Sequence, residues 1–261
     1  RATWHLDFMW AFEGIGHSTT EDGLPFHDEA AKIDDTYLTG KISLAGEHPF
    51  VEHFRFVQSF EDENTTAKLT IPAPAQFIEQ FIMPMNRKAT DAAYGSDALL
   101  EDDIVAAYLA FIEQVHAAGC RGLQFDDCSW GCLVDPKAEL FFGTDQAGLA
   151  RIKETLLRVN NRVLDAAPAD LCINTHVCRG NFHSTWACEG GYDDVADALL
   201  ANEHVNAFFL EFDGERSGGF APLASVPSGK KVVLGLVTTK RAELEDKHAV
   251  IARIHEAAKY V

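Results

Sequence analysis

The segment Cys172-Ile173-Asn174-Thr175-His176-Val177-Cys178 carries the densest chemistry in the chain. Its composition predicts a β-strand that ends in His-x-Cys. Side chains at i and i+2 project to the same side of a strand, so His176 and Cys178 face one space. An imidazole nitrogen and a thiolate are good zinc donors, and two of them make half a tetrahedral site. A second apolar strand, Ala207-Phe208-Phe209-Leu210-Glu211-Phe212-Asp213, follows a helical stretch and brings Glu211 to its own end. In a parallel sheet the C-terminal ends of successive strands are neighbours. Glu211 is therefore a candidate third ligand beside His176 and Cys178. The plainer reading of the same residues is a buried thiol, a hydrogen-bonded histidine and an ordinary acidic strand end.

The elements that must position these groups follow a regular rhythm. Residues 67–71 read as a strand that stops at Pro72-Ala73-Pro74, because proline cannot donate to a ladder. Residues 98–118 have apolar side chains at helical spacing (Leu99, Ile104, Ala107, Leu109, Phe111, Ile112, Val115), with Gly119 as the C-terminal cap. Gly122-Leu123-Gln124-Phe125-Asp126-Asp127 is a strand ending in carboxylates. Helices are expected over residues 146–167, 193–202 and 243–260, and strands over 207–212 and 231–237. Strands alternating with helices imply a parallel sheet. Active groups at strand C-termini are the habit of α/β barrels, although doubly wound sheets share it. The first third is less regular. It reads as an aromatic-rich opening, a polar loop through Phe26, a short strand over residues 39–44 and a helix over residues 48–60.

A length of 261 residues fits one large domain, and 47% hydrophobic residues suffice for a sizeable core. The 22 basic against 40 acidic residues leave a net charge of −18, which argues against nucleic acid or an anionic membrane as the main partner. No apolar run reaches the ~18 residues of a membrane span. The opening Arg1-Ala2-Thr3-Trp4-His5 is not a secretory leader, an absence consistent with a cytoplasmic protein. Six cysteines (120, 128, 132, 172, 178, 188) are sparse for this length and read as reduced thiols. Cys128-x-x-x-Cys132 lacks a downstream pair of metal-binding spacing and reads as structural. An assembly of identical chains is compatible with all of this.

With strands, helices and strand-end chemistry in place, the chain resembles the cobalamin-independent methionine synthase family. The likeness is to its short members that correspond to the C-terminal catalytic half. The carriers are Arg1-Ala2-Thr3-Trp4-His5-Leu6-Asp7-Phe8-Met9-Trp10, Thr39-Gly40-Lys41-Ile42-Ser43, Thr70-Ile71-Pro72-Ala73-Pro74 and Leu123-Gln124-Phe125-Asp126-Asp127-Cys128-Ser129-Trp130. They continue with Asn174-Thr175-His176-Val177-Cys178-Arg179-Gly180-Asn181 and Leu234-Gly235-Leu236-Val237-Thr238-Thr239-Lys240. The resemblance implies a (β/α)8 TIM barrel forming a single catalytic domain over residues 1–261, incomplete at both ends. It implies catalytic Zn2+ held by His176, Cys178 and Glu211, with a fourth, cysteine ligand expected beyond Val261. It also implies methyl transfer from a methylated folate to the thiol of homocysteine, giving methionine, and so a place in methionine biosynthesis.

Asp126 matches the family aspartate that holds the substrate ammonium group. Asp127 is its neighbour in the substrate-binding set, but strand alternation points it to the other side. Asp213 faces the same side as Glu211 and reads as a support around the ligands rather than a ligand. Trp130 and Trp186 suit either a pterin or the core. Cys172 lies too far up its strand to share the metal, and Cys188 lies in a loop. The family supplies an acid-catalytic histidine in a loop after the Glu strand. Here that loop reads Arg216-Ser217-Gly218-Gly219-Phe220-Ala221-Pro222-Leu223, without histidine, so no catalytic acid is assigned. Two other readings stand beside this one: a zinc enzyme that alkylates another thiol such as coenzyme M, and a ligand-binding barrel without turnover.

Overall fold

A computed structural model describes residues 4–19 and 23–261. Residues 1–3 of the opening motif and 20–22 of the polar loop lie outside the described residues. The chain begins with helix α1 (Trp4–Trp10), then strands β1 (Glu13–Ser18), β2 (Leu24–Pro25), β3 (Ala30–Ala31) and β4 (Asp35–Ser43). β1 pairs antiparallel with β4, and β2 with β3. The sequence predicts a loop where β1 lies. The strand forms because β4, longer than expected, offers a partner whose register shifts between Glu13 and Ile15. Gly14 sits in that bulge at φ 80°, where a Cβ would stand 2.2 Å from the Lys41 carbonyl oxygen.

Five further strands make the sheet that matters for function: β5 (Leu69–Pro72), β6 (Gly122–Asp126), β7 (Cys172–Val177), β8 (Ala207–Glu211) and β9 (Lys231–Gly235). They lie in the order β5-β6-β7-β8-β9 and every neighbouring pair is parallel. Strand–helix alternation leads to this arrangement, because a parallel connection needs a crossover long enough to hold a helix. Among the described residues the sheet has five parallel strands and is not a closed eight-stranded barrel. The register sets Asp126 of β6 beside His176 of β7, so the two side chains meet at one rim.

The helices are α2 (Pro49–Gln58), α3 (Pro74–Ile82), α4 (Arg87–Ala93), α5 (Asp97–Ala117), α6 (Ser129–Leu133), α7 (Ala138–Phe142), α8 (Gln146–Ala166) and α9 (Lys247–Ala257). α3 is absent from the sequence-based expectation. Pro74 ends the strand and also opens the helix, because the first helical turn needs no intrahelical N–H. On α5 the buried leucine is Leu100, while Leu99 is 47% exposed. α9 starts later than expected because the Asp246 carboxylate accepts from Ala249 N at 2.9 Å and caps the helix there. Residues 193–202 form a 3₁₀ turn (Asp193–Val195) followed by a π-helix (Ala196–Ala201), not a regular α-helix. The apolar spacing of Val195, Ala196, Leu199 and Leu200 secures the buried face and leaves the helix type to packing. No helix among the described residues is long and apolar enough to cross a membrane.

Behind the sheet, the core holds a layer of buried acids. Asn160 of α8 donates to Asp127 at 2.8 Å and to Glu203 at 2.7 Å, and its oxygen accepts from Ala75 N at 2.8 Å. Glu79 accepts from the Ser129 hydroxyl at 2.5 Å. Burial is the main cause that pushes Asp127 to about 6, Glu79 to about 7 and Glu203 to about 8. A folded-state pKa above the unfolded value means that the native chain binds more protons than the unfolded chain through that interval. This contribution to stability is complete below the unfolded carboxylate range and is lost as pH rises through 6 to 8. The midpoint of thermal unfolding should therefore fall between pH 5.5 and pH 8.5. Glu203→Gln, which keeps an acceptor for Asn160 but cannot ionise, should flatten the decline. An equally steep profile in Glu203→Gln would remove Glu203 as a source.

Candidate active site

The site is assembled at the C-terminal rim of β6, β7 and β8. At the end of β6, Asp126 Oδ1 accepts from Gln124 Nε2 at 2.7 Å and bonds His176 Nδ1 at 3.0 Å. With Nδ1 committed to a carboxylate, Nε2 is the imidazole nitrogen left to meet a ligand. Burial works to lower the His176 pKa. The Asp126 hydrogen bond and the nearby charges of Cys178, Asp126 and Glu211 outweigh it and raise the value.

Cys178 stands just past β7. Its sulfur is 3.0 Å from the Cys128 sulfur and accepts from Gly180 N at 3.5 Å. The bond from Cys128 is the chief cause that brings the Cys178 thiol down to about 7. His176 assists, while burial and Glu211 oppose. The Cys128 thiol is raised well above its ordinary value by the same bond and by burial, so it is the partner that keeps its proton.

Glu211 ends β8 and is held from two directions. Its Oε2 accepts from Arg179 N at 2.9 Å, and its Oε1 pairs with Arg216 Nη2. Arg216 also donates to Asp213 at 2.8 Å and lies 5.1 Å over the Trp186 ring. Asp213 accepts from the Thr238 hydroxyl at 2.7 Å, and Lys240 Nζ lies within 4 Å of both carboxylates. These cations offset two acids that share one partly desolvated rim.

His176, Cys178, Glu211 and Asp126 are thus electrostatic neighbours on one face. Asp127 is elsewhere: it is fully buried behind the sheet, bonded to Asn160, because the next residue along the strand points to the opposite side. That position removes it from direct contact with a substrate at this rim. Trp130 is also fully buried and belongs to the core. Cys172 is exposed and remote from the rim group, near Asn174. Sequence reasoning misses Cys128, Arg179 and Arg216. For Cys128 a signal exists, since it follows Asp126 by two residues. For Arg216 the only hint is its place three residues after Asp213.

One imidazole, one thiol and one carboxylate at adjoining strand ends fit zinc in kind. They are neighbours without converging: among the described residues no three His, Cys, Asp or Glu side chains share a point suited to a metal ion. Cys178 is turned to Cys128, and Glu211 is held by Arg216 and the Arg179 amide.

A parallel α/β sheet with this chemistry at its C-terminal rim defines a class with many enzymes, and comparison with known proteins narrows it. No protein-family model matches the chain. Two uncharacterized proteins of Bacillus subtilis, YxjH and YxjG, are each 37% identical over the whole chain, which covers 67% and 68% of them. A solved Listeria monocytogenes structure, regarded as a candidate vitamin-B12-independent methionine synthase, is 30% identical. It superposes with a TM-score of 0.73 over 99% of this chain and 68% of its own. A B12-independent methionine synthase of Shewanella shares the fold at 17% identity, with a TM-score of 0.65 over 97% of this chain and 67% of its own. The chain belongs to the cobalamin-independent methionine synthase family.

Proposed function

We propose that the chain is a zinc-dependent methyltransferase that moves a methyl group from a methylated folate to the thiol of homocysteine. The observation that carries this reading is the placing of His176, Cys178 and Glu211 at the ends of two adjoining parallel strands, with Asp126 bonded to His176. The Listeria likeness supports the methyl-transfer class. In this reading β5 to β9 are consecutive strands of a (β/α)8 barrel, whose active groups lie at the strand C-termini. His176, Cys178 and Glu211 would hold the ion. Bound zinc supplies the Lewis acidity that keeps a substrate thiol ionised near neutral pH.

The chain's own residues do the positioning. Asp126 holds Nδ1 of the His176 ring and leaves Nε2 for the ion. Arg216 and the Arg179 amide hold Glu211, and Lys240 and Thr238 hold Asp213 beside it. Both described hydrogen bonds to the Asp126 carboxylate fall on Oδ1, which leaves Oδ2 to take a substrate ammonium group.

Asp126→Asn tests the acceptor. The amide keeps an oxygen for His176 and loses the charge that would face an ammonium ion. Zinc should stay bound, its affinity lowered by no more than the roughly 10–100-fold typical of a partner around a ligand, while KM for homocysteine rises. Coenzyme M, a thiol without an amino group, should be affected less. Equal losses on both thiols would sink Asp126 as the ammonium anchor. Turnover of coenzyme M alone would replace homocysteine as the acceptor, and absence of turnover on any thiol by zinc-loaded protein would overturn the enzymatic reading.

A further inference from the structure

Four of the six cysteines stand as two touching pairs. Cys128 Sγ lies 3.0 Å from Cys178 Sγ, and Cys132 Sγ lies 3.2 Å from Cys188 Sγ. All four are free thiols. Cys128 and Cys132 are one helical turn apart, on the cap and body of α6, so they face the same way. Their partners lie on the chain segment that leaves β7. Two features bring that segment against α6. Gly131 lets the helix approach so closely that a Cβ there would be 2.5 Å from the Cys178 carbonyl oxygen. The Arg179 carbonyl accepts from Ala187 N at 2.8 Å and Cys188 N at 3.0 Å, which folds the loop back and returns Cys188 to the helix. The other two cysteines are not arranged this way. Cys120 is buried and bonds the Gly122 carbonyl, and Cys172 is exposed near Asn174.

Sulfur atoms at such distances need to close by only about 1 Å to reach the ~2.05 Å of a disulfide. We propose that Cys128–Cys178 and Cys132–Cys188 form a tandem oxidation site, in which hydrogen peroxide converts each pair to a disulfide. Closing the first pair withdraws Cys178 from ligand duty; this consequence rests on the zinc reading above. In each pair, peroxide oxidises one thiol to a sulfenic acid and leaves as water. The partner sulfur then attacks the sulfenic sulfur, the S–S bond forms and the S–O bond breaks. The departing oxygen takes the partner's proton and leaves as a second water. Two thiols are oxidised by one electron each, and one peroxide is reduced to two waters. A dithiol reductant reverses the step. The bridges would clip α6 to the segment after β7 without requiring either backbone to travel.

The test uses the chain in its reduced, zinc-free form. It is exposed to about two equivalents of peroxide, with one consumed per disulfide. Remaining thiols are alkylated, and the digest is mapped by mass spectrometry. The expected products are peptides linked Cys128–Cys178 and Cys132–Cys188, with Cys120 and Cys172 alkylated, and dithiothreitol should restore all six thiols. Cys128→Ser should remove the first link and keep the second, and Cys188→Ser the reverse. Links dominated by Cys172, or sulfinic acids without links, would overturn the proposal. A parallel sample preloaded with zinc separates the two readings. Zinc should suppress the Cys128–Cys178 link and spare the Cys132–Cys188 link. If both links form regardless of zinc, the oxidation site stands and Cys178 is not a zinc ligand. If zinc binds and no link forms without it, the oxidation site fails and the zinc reading stands.

Discussion

On the zinc reading proposed above, Cys178→Ser should lose zinc and thiol alkylation together. A serine hydroxyl stays protonated near neutral pH and is a poor donor to zinc, whereas a coordinating thiol gives up its proton. Cys178 is also the thiol of the rim group whose pKa is already brought down, to about 7. Replacing a partner around the ligands typically costs 10–100-fold in metal affinity, so losing a ligand should cost more than roughly 100-fold. The measurement is zinc per chain after dialysis, together with the methylation rate. The fold should be retained, because Cys178 lies beyond the last residue of β7 and the ladder hydrogen bonds do not depend on its side chain. Unchanged zinc and an unchanged rate would mean that the metal site is built from other residues.

Arg179→Ala should destabilise the fold strongly. Arg179 is 1% exposed, and its guanidinium donates to the Gly190 carbonyl at 3.0 and 2.6 Å and to the Tyr192 hydroxyl at 2.9 Å. It also lies 4.4 Å over the Tyr192 ring, while its backbone amide holds Glu211. Truncation leaves buried acceptors unmatched, at about 1–3 kcal/mol each, and opens a cavity whose cost adds to that. A total of about 3–5 kcal/mol is expected, which for a chain of this size lowers the melting midpoint by roughly 10 °C. Arg179→Lys should fall between the two, because an ammonium group cannot reproduce the planar fork. Zinc affinity should weaken in parallel as the segment bearing Cys178 and the grip on Glu211 loosen. Urea denaturation of the metal-free variants checks the energy, and a loss below ~1 kcal/mol would contradict the anchoring role.

The strand ends are legible in the sequence because one rule governs them. Period-two alternation puts His176 and Cys178 on one side, and a polar residue closes each apolar run. The same rule separates Asp126, at the rim, from Asp127, behind the sheet. The parallel order follows from strand–helix alternation, since no hairpin turn joins β5 to β9. Groups whose role depends on partners far along the chain are harder to see. Cys128 meets Cys178 across 50 residues, and Asn160 joins Ala75, Asp127 and Glu203 across 85, 33 and 43. Local spacing carries no signal for such pairs. The β1–β4 ribbon escapes for a related reason: its register depends on a bulge at Gly14 that alternation does not encode.

Asn160 has a consequence for motion. One amide side chain grips the start of α3, the residue after β6 and the buried Glu203, and so ties the floor of the site to the helix layer behind it. The loops after β7 and β8 are held separately, by Arg179 and Arg216. The floor opens only when α8 lifts from the sheet, an event close in scale to global unfolding. A substrate entering from above would meet a floor that holds its shape.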